Sequence, residues 1–178
     1  MSRIHTPALE AAIGETAEVY ARIKKMAGSV PNTFATIGAH GPAALQAVLN
    51  ADAVLAASSL TKQDQETIKL VVSVVAGCEY CVAAHSLLGK MAGLPPDVLK
   101  ALRDAQPTGE EKRDALARFV TVLTKTRGTI PEAEFTAIKR AGYIDVQLVE
   151  ISLAIAVTVF TNVFNRSNDT TVDFPAVH

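Results

Sequence analysis

Residues 61–85 read TKQDQETIKLVVSVVAGCEYCVAAH, and whether the first half of this stretch is strand or helix decides the fold class. Ile68 to Val75 is rich in Val and Ile and by periodicity alone suits a buried strand. Length arbitrates. Extended back to Thr61, the run covers about four helical turns without a turn signal, longer than usual strands. Thr61 followed by Asp64 offers an N-cap and a negative first turn, so the spacing predicts a helix that ends near Gly77. The same reasoning applies to Ile151 to Phe160. Extended back to Asp145, this second run reads as a helix that is apolar nearly all round, which places it in the core or in a subunit interface.

Working outward, Gly and Pro punctuate the chain at helix-length intervals: Gly28 to Pro31, Gly41-Pro42, Gly93 to Pro96, Pro107 to Gly109, Gly128 to Pro131 and Gly142. In Glu110 to Arg127, Leu116, Phe119, Val120 and Leu123 recur at i, i+3, i+4, i+7, with Lys112, Arg113 and Arg118 assigned to other faces. Val19, Ile23 and Met26 make a similar stripe, and Met26 and Met91 read as core filler. Pro95-Pro96-Asp97 and Pro131-Glu132 mark helix starts. The expectation is an all-α, single-domain chain over residues 1–178. Its chemistry is confined to 61–93, and a polar C-terminal tail spans 166–178.

Composition narrows the function classes. The 178 residues carry 17 Lys+Arg and 18 Asp+Glu, a formal charge of −1, with 49% hydrophobic and only 5% aromatic residues. A chain of this length buries roughly 70% of its unfolded surface. No basic run exceeds Lys24-Lys25 or Lys139-Arg140, so nucleic acid is not an expected partner. The apolar stretch Ile151 to Phe160 falls short of the roughly 20 residues of a membrane span, so no membrane is expected. The first residues hold Arg3 and His5 but no apolar signal segment, and the expected location is the cytoplasm. In that reducing compartment two cysteines point to metal binding or redox chemistry.

Those cysteines lie in Gly77-Cys78-Glu79-Tyr80-Cys81-Val82-Ala83-Ala84-His85, a C-x2-C-x3-H pattern. On a helix, Cys78, Cys81 and His85 project at roughly 0°, −60° and −20°, one narrow face. His85, four residues after Cys81, is placed to take the thiol proton or to stabilise the thiolate, and Cys78 is placed to attack an oxidised Cys81. A free thiol with a pKa near 8.5 is only about 3% ionised at pH 7. Making it roughly 90% thiolate takes about 3.4 kcal/mol of differential stabilisation, of which a helix N-terminus supplies at most about 2. The imidazole is the expected source of the rest. Glu79 falls between helix positions and is expected to point away. Glu66, Lys69 and Ser73 draw a polar stripe along the preceding helix, and folding back at Gly77 would let Glu66 orient His85. The dipole alone favours Cys78 as nucleophile, whereas the His85 spacing favours Cys81.

The pattern E-x11-C-x2-C-x3-H, here Glu66, Cys78, Cys81 and His85, resembles alkylhydroperoxidase D (AhpD) and the carboxymuconolactone decarboxylase superfamily. Val30-Pro31-Asn32 and the chain length are similar to peroxidase-related members. The resemblance implies an all-helical subunit assembled into homo-oligomers, trimers or hexamers, that acts as a dithiol peroxidase on hydroperoxides. It implies that Cys81 is oxidised to a sulfenic acid, that Cys78 resolves it to a redox-active disulfide, and that Glu66 and His85 relay protons. It also implies a lipoyl-type dithiol or a peroxiredoxin as the recycling couple, with no cofactor and no metal. Tyr80 stands where AhpD has histidine. With a pKa near 10 a tyrosine is a hydrogen-bond donor rather than a base.

Other readings remain beside this one. The superfamily's other name suggests cofactor-free decarboxylation of a lactone acid, which needs an acid and a base but no dithiol. A zinc or redox-sensing module would draw further ligands from Glu66, His40, His5 or His178. Haem attachment requires His directly after the second cysteine, where this chain has Val82. His40, beside Gly41-Pro42, reads as a loop or cap residue, and Ser73 and Ser86 lack the context of a hydrolase nucleophile.

Overall fold

A computed structural model describes residues 2–177, and among them every regular element is helical. A single 3-10 turn, Leu9–Ala11, precedes α1 (Gly14–Ala27), α2 (Asn32–His40), α3 (Pro42–Ala56), α4 (Lys62–Ala76), α5 (Glu79–Met91), α6 (Pro96–Arg103), α7 (Glu111–Thr126), α8 (Glu132–Arg140) and α9 (Asp145–Asn168).

The Val/Ile-rich run is the centre of the bundle. α4 packs against α5, α7 and α9, and its Ile68, Leu70, Val71 and Val72 are buried. The weaker helix propensity of Ile68, Val71 and Val72, a few tenths of a kcal/mol each, is outweighed by burial worth about 1.5–3 kcal/mol per large side chain. The helix starts where Thr61 caps it. Asp64 N donates to Thr61 Oγ1 at 3.0 Å, and the Asp64 carboxylate receives the Thr61 N–H in return. It stops at Gly77, whose φ of +63° ends the helix and turns the chain into α5.

A second close approach holds α5 to α6. A Cβ on Gly89 would meet Leu99 Cδ2 at 2.8 Å and Leu94 Cδ1 at 3.1 Å, so a larger residue there would force those leucine side chains to shift.

α9 runs across the bundle with an amphipathic division finer than its apolar composition suggests. Ile151 and Ala154 enter the core, and Thr158, Asn162, Asn165 and Asn168 are buried with them. Val146, Val149, Val159, Phe160 and Val163 are exposed. The helix is long and apolar enough to cross a membrane by length and composition, yet its polar stripe faces into the fold.

Several sequence expectations change. Arg113, expected off the apolar face of α7, is buried with it: its guanidinium donates to Thr67 Oγ1 at 3.0 Å, Gln63 Oε1 at 3.2 Å and Glu110 Oε2 at 2.8 Å, which satisfies the charge inside. Met26 and Met91 are exposed at 74% and 75%. The tail expected at 166–178 begins inside α9, since Arg166 to Asn168 complete its last turn. The described residues after it fold back onto the N-terminus of α2, where Asn32 N donates to Asp173 Oδ2 at 2.9 Å and Asn32 Nδ2 to Thr171 O at 2.9 Å. His178 lies outside the described residues.

Candidate active site

The turn at Gly77 places the two cysteines. Cys78 is not helical: it is the N-cap of α5, with φ −92° and ψ 94°, and its sulfur accepts the Cys81 N–H at 3.3 Å. The expected common helical face is therefore corrected to a cap and a first-turn residue. The same two sulfurs still meet, because a cap side chain reaches back over the first turn. Cys78 and Cys81 form a disulfide with a Cα–Cα distance of 5.3 Å. Both are buried, at 1% and 2% exposure, and with Tyr80 they form a small cluster covered by Ala76 and Phe174.

A cavity of about 530 Å³ opens onto this cluster. Cys81, and not Cys78, is among the described residues that line it. Its walls are mostly apolar, with Met26, Phe34, Leu88, Met91, Val157 and Phe174, and its charged lining comprises Asp52, Lys69, His85 and Asp173. The two methionines assigned to the core stand on this wall.

Glu66 and His85 meet across α4 and α5, with Nδ1 2.9 Å from Glu66 Oε2 and both side chains largely buried. Burial pushes the Glu66 carboxyl up, but the His85 charge and hydrogen bond, helped by Lys69, hold it below the ordinary carboxylate value. Lys69 in turn pairs with Asp52 at 2.9 Å. His85 lines the cavity with Cys81, and among the described residues no hydrogen bond joins it to either sulfur. The hydrogen bond to Cys81 comes instead from Asn165 Nδ2, at 3.3 Å.

Tyr80 lines the same cavity with a committed hydroxyl. It accepts the Thr33 N–H at 3.3 Å, and the Asp173 carboxylate lies near it on the same cavity wall. Burial first, and Asp173 with it, push its pKa well above the ordinary tyrosine value, so it is neutral and a donor. Its ring meets Phe174 edge-on, with centroids 5.3 Å apart and planes at 82°. Glu79 is exposed and points away. His40 sits at the end of α2 with Nε2 2.8 Å from His5 O, and neither histidine lines the cavity. Among the described residues no group of three or more His, Cys, Asp or Glu is placed to hold a metal ion, so a zinc module finds no ligand set there.

The residues missed by sequence reasoning are Asn165, Thr33, Asp173 and Phe174. The polar series Thr158, Asn162, Asn165 carried a signal, since it recurs at helical spacing inside an otherwise apolar run. Nothing local marks the other three.

Comparison with known proteins follows the same geometry. The family model described as Carboxymuconolactone decarboxylase family matches residues 42–121, which include α3 to α6 and both cysteines. Among solved structures, the AhpD core of a peroxidase-related protein from Ralstonia eutropha JMP134 aligns at TM-score 0.86 and 24% identity, over 97% of this chain and 92% of that one. The debrominase Bmp8, a cysteine-to-alanine variant solved with 2,3,4-tribromopyrrole, aligns at TM-score 0.81 and 18% identity, over 97% and 92% of the two chains. A protein from Agrobacterium tumefaciens described as a putative antioxidant defence protein AhpD is 26% identical at TM-score 0.69, over 77% of this chain and 94% of that one. No curated protein sequence matches the chain significantly.

Proposed function

We propose, from the premise that this chain belongs to the AhpD and carboxymuconolactone decarboxylase superfamily, that it is a dithiol-dependent hydroperoxide reductase. The observation that carries the reading is a disulfide between Cys78 and Cys81 beside an apolar cavity that Cys81, and not Cys78, lines among the described residues.

The cycle follows from that arrangement. The Cys81 thiolate attacks the distal oxygen of the hydroperoxide; the O–O bond breaks, Cys81 becomes a sulfenic acid, and the alkoxide takes a proton from His85 to leave as an alcohol. Cys78 then attacks the Cys81 sulfur, forming the S–S bond and releasing the sulfenic oxygen as water. An external dithiol restores the pair. Its first thiolate enters the cavity and attacks Cys81, Cys78 leaves as a thiolate, and the second thiol displaces Cys81. The sum is hydroperoxide plus dithiol giving alcohol, water and a disulfide. Cys78 suits the leaving role, because its sulfur caps α5 and holds the Cys81 N–H. Glu66 orients His85 and remains ionised to do so. Tyr80 braces the wall through its hydroxyl, which accepts the Thr33 N–H. The cycle calls for neither metal nor dissociable cofactor.

The apolar lining favours an organic hydroperoxide over hydrogen peroxide. A narrow recycling dithiol of the lipoyl type suits a buried cysteine reached through the cavity better than a bulky thiol protein such as a peroxiredoxin. A reducing cytoplasm would supply it. Val146, Val149, Val159, Phe160 and Val163 on the outer face of α9 support assembly with further copies of the chain into a trimer or hexamer. Decarboxylation gives the disulfide no part. The same cavity favours one further reading, reductive debromination of a flat heteroaromatic, in which the dithiol becomes a disulfide and the bromoarene becomes arene plus hydrogen bromide.

The test is a panel of hydrogen peroxide, organic hydroperoxides and a bromopyrrole, each with several dithiol donors and with thiols counted before and after. Organic hydroperoxides are expected to be consumed fastest. Cys81→Ser is expected to abolish turnover, while Cys78→Ser still yields a trappable sulfenic acid. Equal sulfenate yields from the two variants would overturn the assigned roles, and turnover of bromopyrrole alone would replace the peroxidase reading with the halide one.

A further inference from the structure

We infer that Asn165 is a catalytic residue, the amide donor that holds the Cys81 sulfur as a thiolate, and that Thr33 positions it. The inference deepens the dithiol reading above and rests on it for the identity of the reacting sulfur.

The orientation of the amide follows from proton bookkeeping. A disulfide sulfur carries no hydrogen and can only accept, so the Asn165 atom 3.3 Å from Cys81 Sγ is the NH2 nitrogen. Oδ1 then faces Thr33 Oγ1 at 2.7 Å, and the threonine hydroxyl is the donor. Both residues are buried, Asn165 at 3% and Thr33 at 3%, and they come from α9 and α2, so the amide is clamped between two helices. The Thr33 backbone N–H is spent on the Tyr80 hydroxyl, which ties the same turn of α2 to the neighbour of Cys81.

Each sulfur thus has one N–H. Cys78 has the Cys81 backbone amide, and Cys81 has Asn165. Among the described residues no hydrogen bond runs from His85 to either sulfur; its Nδ1 is engaged with Glu66. The charged groups that share the cavity with Cys81 are Asp52 on α3, Lys69 on α4, His85 on α5 and Asp173 in the returning tail. The carboxylate of Asp52 is offset by Lys69. A fixed neutral donor strengthens as the sulfur gains charge, since hydrogen bonds to ionised partners are roughly twice as strong as neutral ones. The same bond stabilises Cys81 as the leaving thiolate when the second thiol of the reductant closes its own disulfide.

The experiment titrates Cys81 alone, in a Cys78→Ser background, by the pH dependence of its alkylation with iodoacetamide, which requires no peroxide. Asn165→Leu is expected to raise the midpoint by about one unit. Asn165→Asp, which keeps the Thr33 acceptor but puts a carboxylate against the sulfur, is expected to raise it further. Thr33→Val frees the amide to rotate without touching sulfur and is expected to shift the midpoint in the same direction by less. Circular dichroism establishes that each variant is folded. If Asn165→Leu fails to fold, the Asp and Thr33→Val variants decide. Midpoints unchanged in the folded variants would overturn the inference while leaving the peroxidase reading intact. A wild-type protein that consumes no peroxide would sink that reading and leave the titration meaningful.

Discussion

Reduction of the Cys78–Cys81 bond is expected to leave the fold almost as stable as before, and the expectation can be worked from the chain. The cysteines are separated by 3 positions in sequence. In the chain-entropy description, a cross-link over so short a loop removes little freedom from the unfolded state, about 2 kcal/mol. The surroundings of the pair hold without it. Gly77 ends α4, the Cys78 sulfur still caps α5 as a thiol, and the core built on α4, α7 and α9 does not include the bond. At roughly 2–4 °C per kcal/mol for a protein of this size, reduction should lower Tm by about 4–8 °C. The assay is scanning calorimetry of the oxidised protein and of the protein held reduced by excess dithiol. A cooperative transition in both, separated by a shift of that order, fits a bond made to be opened and closed. Loss of the transition, or a fall of more than about twice that size, would make the disulfide a structural staple and refute the reasoning.

Further expectations follow from the buried polar groups and the outer face of α9. Glu66→Gln keeps an acceptor for His85 but removes the charge, and peroxide turnover should fall roughly tenfold to a hundredfold in steady-state assays, the lower part of what a positioned acid–base group contributes. Because the folded Glu66 carboxyl lies below its ordinary 4.5, the stability it contributes is full above about pH 4.5 and fades as pH drops through the depressed folded value. Urea titrations across that acid range should therefore show a shallower loss for Glu66→Gln than for the wild type. Arg113→Ala leaves buried Thr67 and half-buried Gln63 without their donor, and its urea midpoint should report about 1–3 kcal/mol of lost stability. Light scattering should find more than one chain per particle, and Val149→Glu with Val163→Glu should reduce the mass without unfolding the chain. A stable wild-type monomer would refute the oligomer.

Helix rules explain what could be read from residues alone. The run from Thr61 to Val75 is a helix because its cap, its length and its glycine stop are local features, and each is visible in the chain. Glu66 and His85 meet because the polar stripe of α4 and the C-x3-H spacing of α5 are both helical, and a single glycine turn joins them. The same rules failed where the chain leaves the helix. Cys78 was placed on a helical face, yet the αL residue before it makes it a cap. Helix spacing sets Arg113 apart from the apolar face, whereas three acceptors, two of them on α4, hold it inside. Met26 and Met91 fit an apolar stripe and so read as core, but they border a cavity.

By itself, then, the sequence determined a helical chain, the adjacency of two thiols, and an acid and an imidazole at the right spacing to serve them. Only the tertiary structure decided which sulfur faces the cavity, that Asn165 and not His85 hydrogen-bonds it, and that the end of the chain returns to close the wall. The physical reason is distance along the chain. Backbone geometry fixes the neighbours within a helical turn or across one glycine turn, but Asn165 and Cys81 are 84 residues apart, and a contact of that kind exists only when whole helices have packed.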